Sequence, residues 1–257
     1  MDEKSKNYRD NMERTEDYLE NFSRERVLKS LVKKADPFII DVGANKGQSI
    51  KFFLSLFPYA RIVSFEPQES LIPALKEVEL AYPSNEILII NKACGGKNHS
   101  FDQKFYQHDI SSGLAGFNKL NIKSKDSLNL SKLSTQEDLE SYQSIINHES
   151  TVQTISLESF CNERGIDRVD ILKVDTQGFE PEVLDGAGEI LQHTSIVLVE
   201  LMFYDLYERS VSFYDVEKYL HKAGLYLFDI SHISKNPLNG RTDWVDAIYV
   251  RSQPDSK

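Results

Sequence analysis

Cysteine, basic runs and long apolar stretches are what this chain lacks. Its two cysteines, Cys94 and Cys161, are too few for a disulfide framework and match no metal-ligand spacing. Both are expected to be reduced packing residues in a reducing compartment. No apolar run nears the roughly 20 residues that span a bilayer. The first 26 residues are dense in both charge signs and carry no apolar stretch, which excludes a signal peptide. The expectation is a cytoplasmic protein without a membrane span. The formal charge is -10, with no basic block to follow a phosphate backbone, which argues against a nucleic-acid partner.

What is present is the pattern of an α/β protein. The 257 residues, 40% hydrophobic and 27% charged, suit one domain with additions. Residues 9–34 read as a helix, with Leu19, Phe22, Val27, Leu28, Leu31 and Val32 near helical spacing and Asp36-Pro37 as its stop, so residues 1–36 form an N-terminal helical extension. From residue 37 to the end, short apolar runs closing on turn residues alternate with helical segments. Strands are expected at 38–43, 60–65, 86–91, 169–174 and 195–201, with helices at 47–57, 70–81, 180–191 and 213–223 between them. Two further strands, 226–230 and 246–250, have no helix between them and predict an antiparallel closing hairpin. The fold class is a doubly wound, mostly parallel seven-stranded sheet. Residues 97–150 interrupt the rhythm. There 101–107 could add a strand, and 119–150 is polar and aperiodic, read as loop and short helix forming a cap or substrate-binding insertion.

Three segments carry chemistry. In Asp41-Val-Gly43-Ala-Asn45-Lys-Gly47 a strand turns into a helix, and in doubly wound sheets ligands lie at the carboxyl ends of strands. The Gly43-x-x-x-Gly47 spacing departs from the Gly-x-Gly-x-x-Gly of dinucleotide sites, and Asp41 would repel a pyrophosphate but suit an ammonium group. A side chain at Gly43 is expected to project into the ligand's space. Glu66-Pro67 ends the second strand, 19 residues after Gly47, where a carboxylate can accept both hydroxyls of a ribose. The third segment, Lys173-Val-Asp175-Thr-Gln177-Gly178-Phe-Glu180, ends the fourth strand and should face the reactive end of a ligand.

These segments, with Val183-Leu-Asp-Gly186 and Val199-Glu200-Leu-Met-Phe203, resemble the FkbM family of S-adenosylmethionine-dependent methyltransferases over residues 38–250. The Asp-x-Gln-Gly-x-Glu string, at the right distance from the other two motifs, is the most specific carrier. The resemblance implies O-methylation of a hydroxyl on a sugar, glycan or secondary metabolite. It also implies cofactor contacts at Asp41, Gly43, Asn45, Gly47, Glu66 and Pro67, with Ala93 and Ser112 completing the site. The family often has a second proline near position 69, where this chain has Glu69. For the general base a hydroxyl acceptor needs, the candidates are Asp175, Glu180 and His108. Gln177, Glu200 and Tyr204 are expected to hold the acceptor. A divalent metal on Asp175, Glu200 and Asp205 is considered but not favoured, since no compact ligand motif is present. A catalytically silent binding module and a nucleotide-dependent oxidoreductase are the alternatives.

Overall fold

The computed structural model describes residues 11–97, 101–130, 136–237 and 239–251. The chain separates into an N-terminal unit ending at Lys34 and a main unit, Ala35–Lys257. The N-terminal unit holds two helices, α1 (Asn11–Asn21) and α2 (Arg24–Leu31), where the periodicity predicts one. The break falls at Ser23, whose extended backbone (ψ 156°) and hydroxyl, accepting from the Arg26 N–H, make it the N-cap of α2. Apolar spacing is blind to this, because a capping serine ends one helix and starts another without altering the stripe. Residues 9–10 of the expected helix lie outside the described residues.

The main unit runs β1 (Phe38–Val42), α3 (Gln48–Leu56), β2 (Arg61–Phe65), α4 (Ile72–Ala81), β3 (Ile87–Ile90), β4 (Ala93–Cys94), β5 (Asp102–Gln107), α5 (Lys125–Leu130), α6 (Gln136–Ser144), β6 (His148–Ile155), α7 (Leu157–Arg164), β7 (Val169–Val174), α8 (Glu180–Ala187), β8 (Thr194–Met202), α9 (Phe213–Lys222), β9 (Leu225–Lys235) and β10 (Thr242–Arg251). Seven strands form one sheet in the order β3-β2-β1-β7-β8-β10-β9. All neighbours are parallel except at β10, which runs antiparallel between β8 and β9, so the expected doubly wound sheet and closing hairpin are both present. The hairpin strands are longer than the apolar runs that announce them. Helix α8 is shorter than expected, tightening at Gly188 into a 3-10 turn that carries the chain to His193.

Helices α7, α8 and α9 cover one face, packing Phe160, Val183, Leu184, Val216 and Leu220 on Ile40, Val42, Leu172, Val174, Val197 and Val199. The opposite face carries the alternate residues, including Asp41 and Ser64, on the side of α3, whose Ser49 reaches Asp41. The chain leaves β1 toward β2 and leaves β7 toward β8. The carboxyl ends of β1 and β7 therefore open the crevice that this topology reserves for ligands.

Residues 97–150 require a correction. A second sheet, β4-β6-β5, includes β6, which begins at His148 inside the segment expected to be loop and continues to Ile155. Its β-branched residues, Thr151, Val152, Thr154 and Ile155, become a strand only through pairing with β5, as in Phe105↔Ser150. No helix among the described residues is long and apolar enough to cross a membrane.

Candidate active site

The glycine turn and the end of β2 are built as one piece. Gly43 (φ +86°), Asn45 (φ +47°) and Gly47 (φ +82°) take left-handed conformations that fold the chain back at the end of β1. The Gly43 and Ala44 N–H groups both donate to the Phe65 carbonyl, at 3.0 and 3.1 Å. The Glu66 carboxylate then staples the two strand ends, with Oε2 accepting from Asn45 N (2.8 Å) and Oε1 from Gln68 N (2.9 Å). Burial raises the pKa of Glu66, and those backbone donors oppose the rise.

Above this piece lies a cleft of about 600 Å³, counting the space at its open mouth. Eight of the sequence-predicted residues line it: Gly43, Asn45, Glu66, Pro67, Ala93, Ser112, Asp175 and Gln177. The turn at 112–114 closes one side, where Ser112 Oγ donates to Asn45 Oδ1 (3.1 Å) and Gln68 Nε2 donates to Ser112 O (3.1 Å). Phe105 and Phe117 add an apolar wall, braced by Phe117 against Phe179 at 4.1 Å between ring centroids. Gln68, Thr176, Phe105 and Phe117 escape the sequence reading because an ordinary amide, hydroxyl or aromatic gives no signal until the second sheet brings it to the cleft.

Two expected cofactor contacts are corrected. Asp41 is fully buried beneath the cleft. Its carboxylate accepts from Ser49 Oγ (2.5 Å) and Ser64 Oγ (3.2 Å) and faces the ammonium of Lys173 at 3.3 Å, so its charge is answered inside the protein. Gly47 does not line the cleft either. A Cβ there would lie 3.1 Å from Val78 Cγ2, so its small size lets α3 start close against α4.

Lys173 is the principal residue the sequence reading missed. It bridges Asp41, Asp175 (3.3 Å) and the Gly43 carbonyl (3.0 Å), tying β1, its turn and the end of β7 together. The signal was available: a lone cation inside Ile171-Leu172-Lys173-Val174 has to find a buried acid. Beyond it, Gln177, left-handed at φ +56°, spreads its amide across the end of the sheet. Its Nε2 donates to Asp175 Oδ1 (3.0 Å) and Glu200 Oε2 (2.9 Å), while its Oε1 accepts from the Tyr207 hydroxyl (2.9 Å). Tyr204, expected to hold the acceptor, is half-buried, lies outside the cleft lining, and has its phenol pushed upward by burial.

Glu180 and His108, two of the base candidates, lie outside the lining of the main cleft. Glu180 is buried under the loop, and its Oε1 accepts from Thr176 N, Thr176 Oγ1 and Gly178 N, which closes the turn into α8. Burial lifts its pKa to about 7 despite those donors. The folded state thus holds a proton that the unfolded chain releases near the ordinary Glu value of 4.5. This contribution to stability is complete below pH 4.5 and is lost as pH rises through 7. Urea unfolding should show the wild-type protein losing about 3 kcal/mol relative to Glu180→Gln across that window. Parallel pH profiles for the two proteins would rule this out.

His108 lines an adjoining polar cavity with Gln107, Asp109 and His148, which meets the main cleft at Gln68 and Ser112. Its Nδ1 accepts from Asn147 N (2.9 Å). Burial, aided by the neighbouring His148, lowers its pKa to about 4, so it is neutral and weakly basic near pH 7. Asp175, Glu200 and Asp205 do not converge as a metal site. Among the described residues no group of three or more His, Cys, Asp or Glu is placed to hold an ion.

A family model described as methyltransferase FkbM domain matches residues 41–226. The 2-O-methyltransferase NoeI of Sinorhizobium fredii (strain NBRC 101917 / NGR234) is 29% identical over 184 residues, covering 71% of this chain and 70% of that protein. Among solved structures, an rRNA methylase from Streptococcus thermophilus aligns with a TM-score of 0.47 at 8% identity, covering 89% of this chain and 94% of the other. Magnesium protoporphyrin IX methyltransferase from Synechocystis PCC 6803, with bound SAM, aligns at 0.43 and 10% identity, covering 89% and 79%.

Proposed function

Because the chain belongs to the FkbM family of S-adenosylmethionine-dependent methyltransferases, we propose that it methylates a hydroxyl oxygen of a small-molecule or glycan acceptor. The observation that carries this reading is the Asp175 carboxylate in the wall of the cleft, joined through the Gln177 amide to Glu200, which stands just outside the lining, since an alcohol must lose a proton as it is alkylated. The similarity to a 2-O-methyltransferase supports the same acceptor chemistry. The oxidoreductase alternative gives way to the family match, in agreement with the glycine spacing.

The residues present fit the cofactor. Glu66 lines the cleft with two Gln68 donors on Oε1 and only the Asn45 N–H on Oε2, which leaves lone-pair capacity, chiefly on Oε2, for a ribose diol. Ser112 holds Asn45 through its Oδ1, which turns the amide nitrogen to donate. Ala93 and Pro67 provide flat apolar surface beside Glu66. When bound, S-adenosylmethionine supplies a methyl group already activated on a sulfonium. The protein's share is to hold the acceptor oxygen in line, with Asp175 and Gln177 orienting it at the end of β7.

Methyl transfer from methyl-deuterated S-adenosylmethionine to a panel of methyl glycosides and small alcohols, read by mass spectrometry, tests the proposal. A labelled ether is expected. Label on nitrogen or carbon, or none at all in a protein that binds the cofactor, would overturn it. Glu66→Gln should weaken cofactor binding by about 1–3 kcal/mol by calorimetry, because a charged acceptor is lost. Unchanged affinity in a folded variant would remove Glu66 from the site.

A further inference from the structure

We propose that Glu200, rather than Asp175, is the base that takes the acceptor's proton. This rests on the O-methylation reading above. The two carboxylates stand level with one another on neighbouring strands, Asp175 just past the end of β7 and Glu200 near the end of β8, since Val174 of β7 pairs with Val199 of β8. Their hydrogen bonding differs. Asp175 has both oxygens engaged, Oδ1 by Gln177 Nε2 at 3.0 Å and Oδ2 by the Lys173 ammonium at 3.3 Å. An ion-paired carboxylate with a donor on each oxygen is a weaker proton acceptor than one with a bare oxygen. Glu200 gives only Oε2 to Gln177, at 2.9 Å, and its Oε1 carries no hydrogen bond among the described residues.

The amide between them is held in one orientation. Tyr207 is buried and donates to Gln177 Oε1, with the Leu114 carbonyl also in reach at 3.0 Å. That contact points both Nε2 hydrogens at the carboxylates. The left-handed backbone of Gln177, which costs roughly 1–2 kcal/mol in a non-glycine residue, is the geometry that lets one amide span both strand ends.

The surroundings tune Glu200 for this work. Burial raises its pKa first, and the charges of Asp175, Glu180 and Asp246, which faces it from β10, raise it further. Lys173 opposes them. The phenols of Tyr204 and Tyr207 complete the group and are neutral near pH 7, both held above the ordinary tyrosine range. A base lifted above the ordinary carboxylate range takes a proton more readily than an ordinary carboxylate. In the step, the hydroxyl proton passes to Glu200 Oε1 as the acceptor oxygen bonds to the methyl carbon. The electron pair of the broken carbon–sulfur bond leaves with sulfur, and the resulting carboxylic acid later returns its proton to water.

The full chain is the material for the test, with two readouts. Infrared titration of the protein alone should show a buried carboxylic acid band that titrates above the ordinary carboxylate range. Glu66 and Glu180 contribute acid bands of their own, so the component to follow is the one lost in Glu200→Gln, and it should titrate at lower pH in Asp175→Asn, because a neighbouring negative charge is gone. Methyl transfer to the glycoside panel should fall 10²–10⁴-fold in Glu200→Gln with cofactor affinity retained, and recover in part in Glu200→Asp. Asp175→Asn should keep measurable turnover, with the acid limb of its rate profile moved to lower pH. A band unaffected by Glu200→Gln would overturn the assignment, as would near-normal turnover in that variant, or turnover lost in Asp175→Asn alone. Failure of the wild-type protein to methylate any hydroxyl falls instead on the functional reading, and the infrared titration still judges Glu200.

Discussion

Replacing Lys173 with methionine is expected to lower the free energy of unfolding by about 3–5 kcal/mol. The reason lies beneath the cleft. Asp41 has no exposed surface and keeps its charge in a low-dielectric interior by facing the Lys173 ammonium at 3.3 Å, with two serine hydroxyls completing its shell. Burial works against the lysine's own charge, yet Asp175 and Asp41 together hold its pKa above the ordinary lysine range. Methionine matches the volume and removes the charge. That leaves a buried carboxylate without a counter-ion and the Gly43 carbonyl without its donor. Urea denaturation of the single variant and of Asp41→Asn/Lys173→Met together separates charge from packing. The double variant should recover most of the loss, since neither charge then remains unpaired. A single variant within about 1 kcal/mol of wild type would sink this account.

Gly43→Ala should be nearly as damaging, for a reason different from the one the motif suggests. The sequence points to a side chain entering the ligand's space. In the structure a Cβ on Gly43 would sit 1.9 Å from the backbone carbonyl oxygen of Asp175. The two strand ends are pinned there, with Gly43 N bonded to Phe65 O and Asp175 N to Val42 O, so neither can move aside without breaking the sheet. Overpacking of this kind costs about 1–3 kcal/mol, and the left-handed φ of +86° adds about 1–2 kcal/mol for a residue with a side chain. For a chain of this size the sum corresponds to a Tm lower by roughly 10 °C. Gly165 supplies the control. It is also left-handed, at φ +63°, but nothing lies within 4 Å of its would-be Cβ. Gly165→Ala should show only the dihedral cost. Equal losses at the two glycines would mean that backbone strain, not the approach of β7 to β1, governs Gly43.

Both results bear on how the site can be read. From the sequence, Asp41 looks like a ligand contact because it stands beside a glycine turn. The fold makes it a partner of Lys173, a residue 132 positions away in sequence, and exposes Asp175 in its place. Glu180 follows the same course. Its place in the Asp-x-Gln-Gly-x-Glu string suggests catalysis, and the three donors gathered on its Oε1 make it the closure of the loop that presents Gln177.

What the sequence determined by itself was everything set by short-range periodicity and backbone stereochemistry. Buried apolar runs closing on Gly43 and Pro67, helices stopped by Pro58 and Gly224, and a final pair of strands without a helix between them specify the doubly wound sheet and the crevice at its switch point. The residues at those strand ends, Asn45, Glu66, Asp175 and Gln177, follow because strand and helix periods fix where the chain turns. Tertiary structure decided what depends on partners distant in the chain. Strand β6 exists through β5, some 45 residues earlier, as the Ser150 to Phe105 hydrogen bond marks. The cleft acquires Phe105, Ser112 and Phe117 only when that second sheet forms. The division of labour between Asp175 and Glu200 depends on an amide held by a tyrosine 30 residues further on. A carboxylate's chemistry is set by which donors reach it and how much water it keeps, and the chain assembles both from segments that share no local pattern.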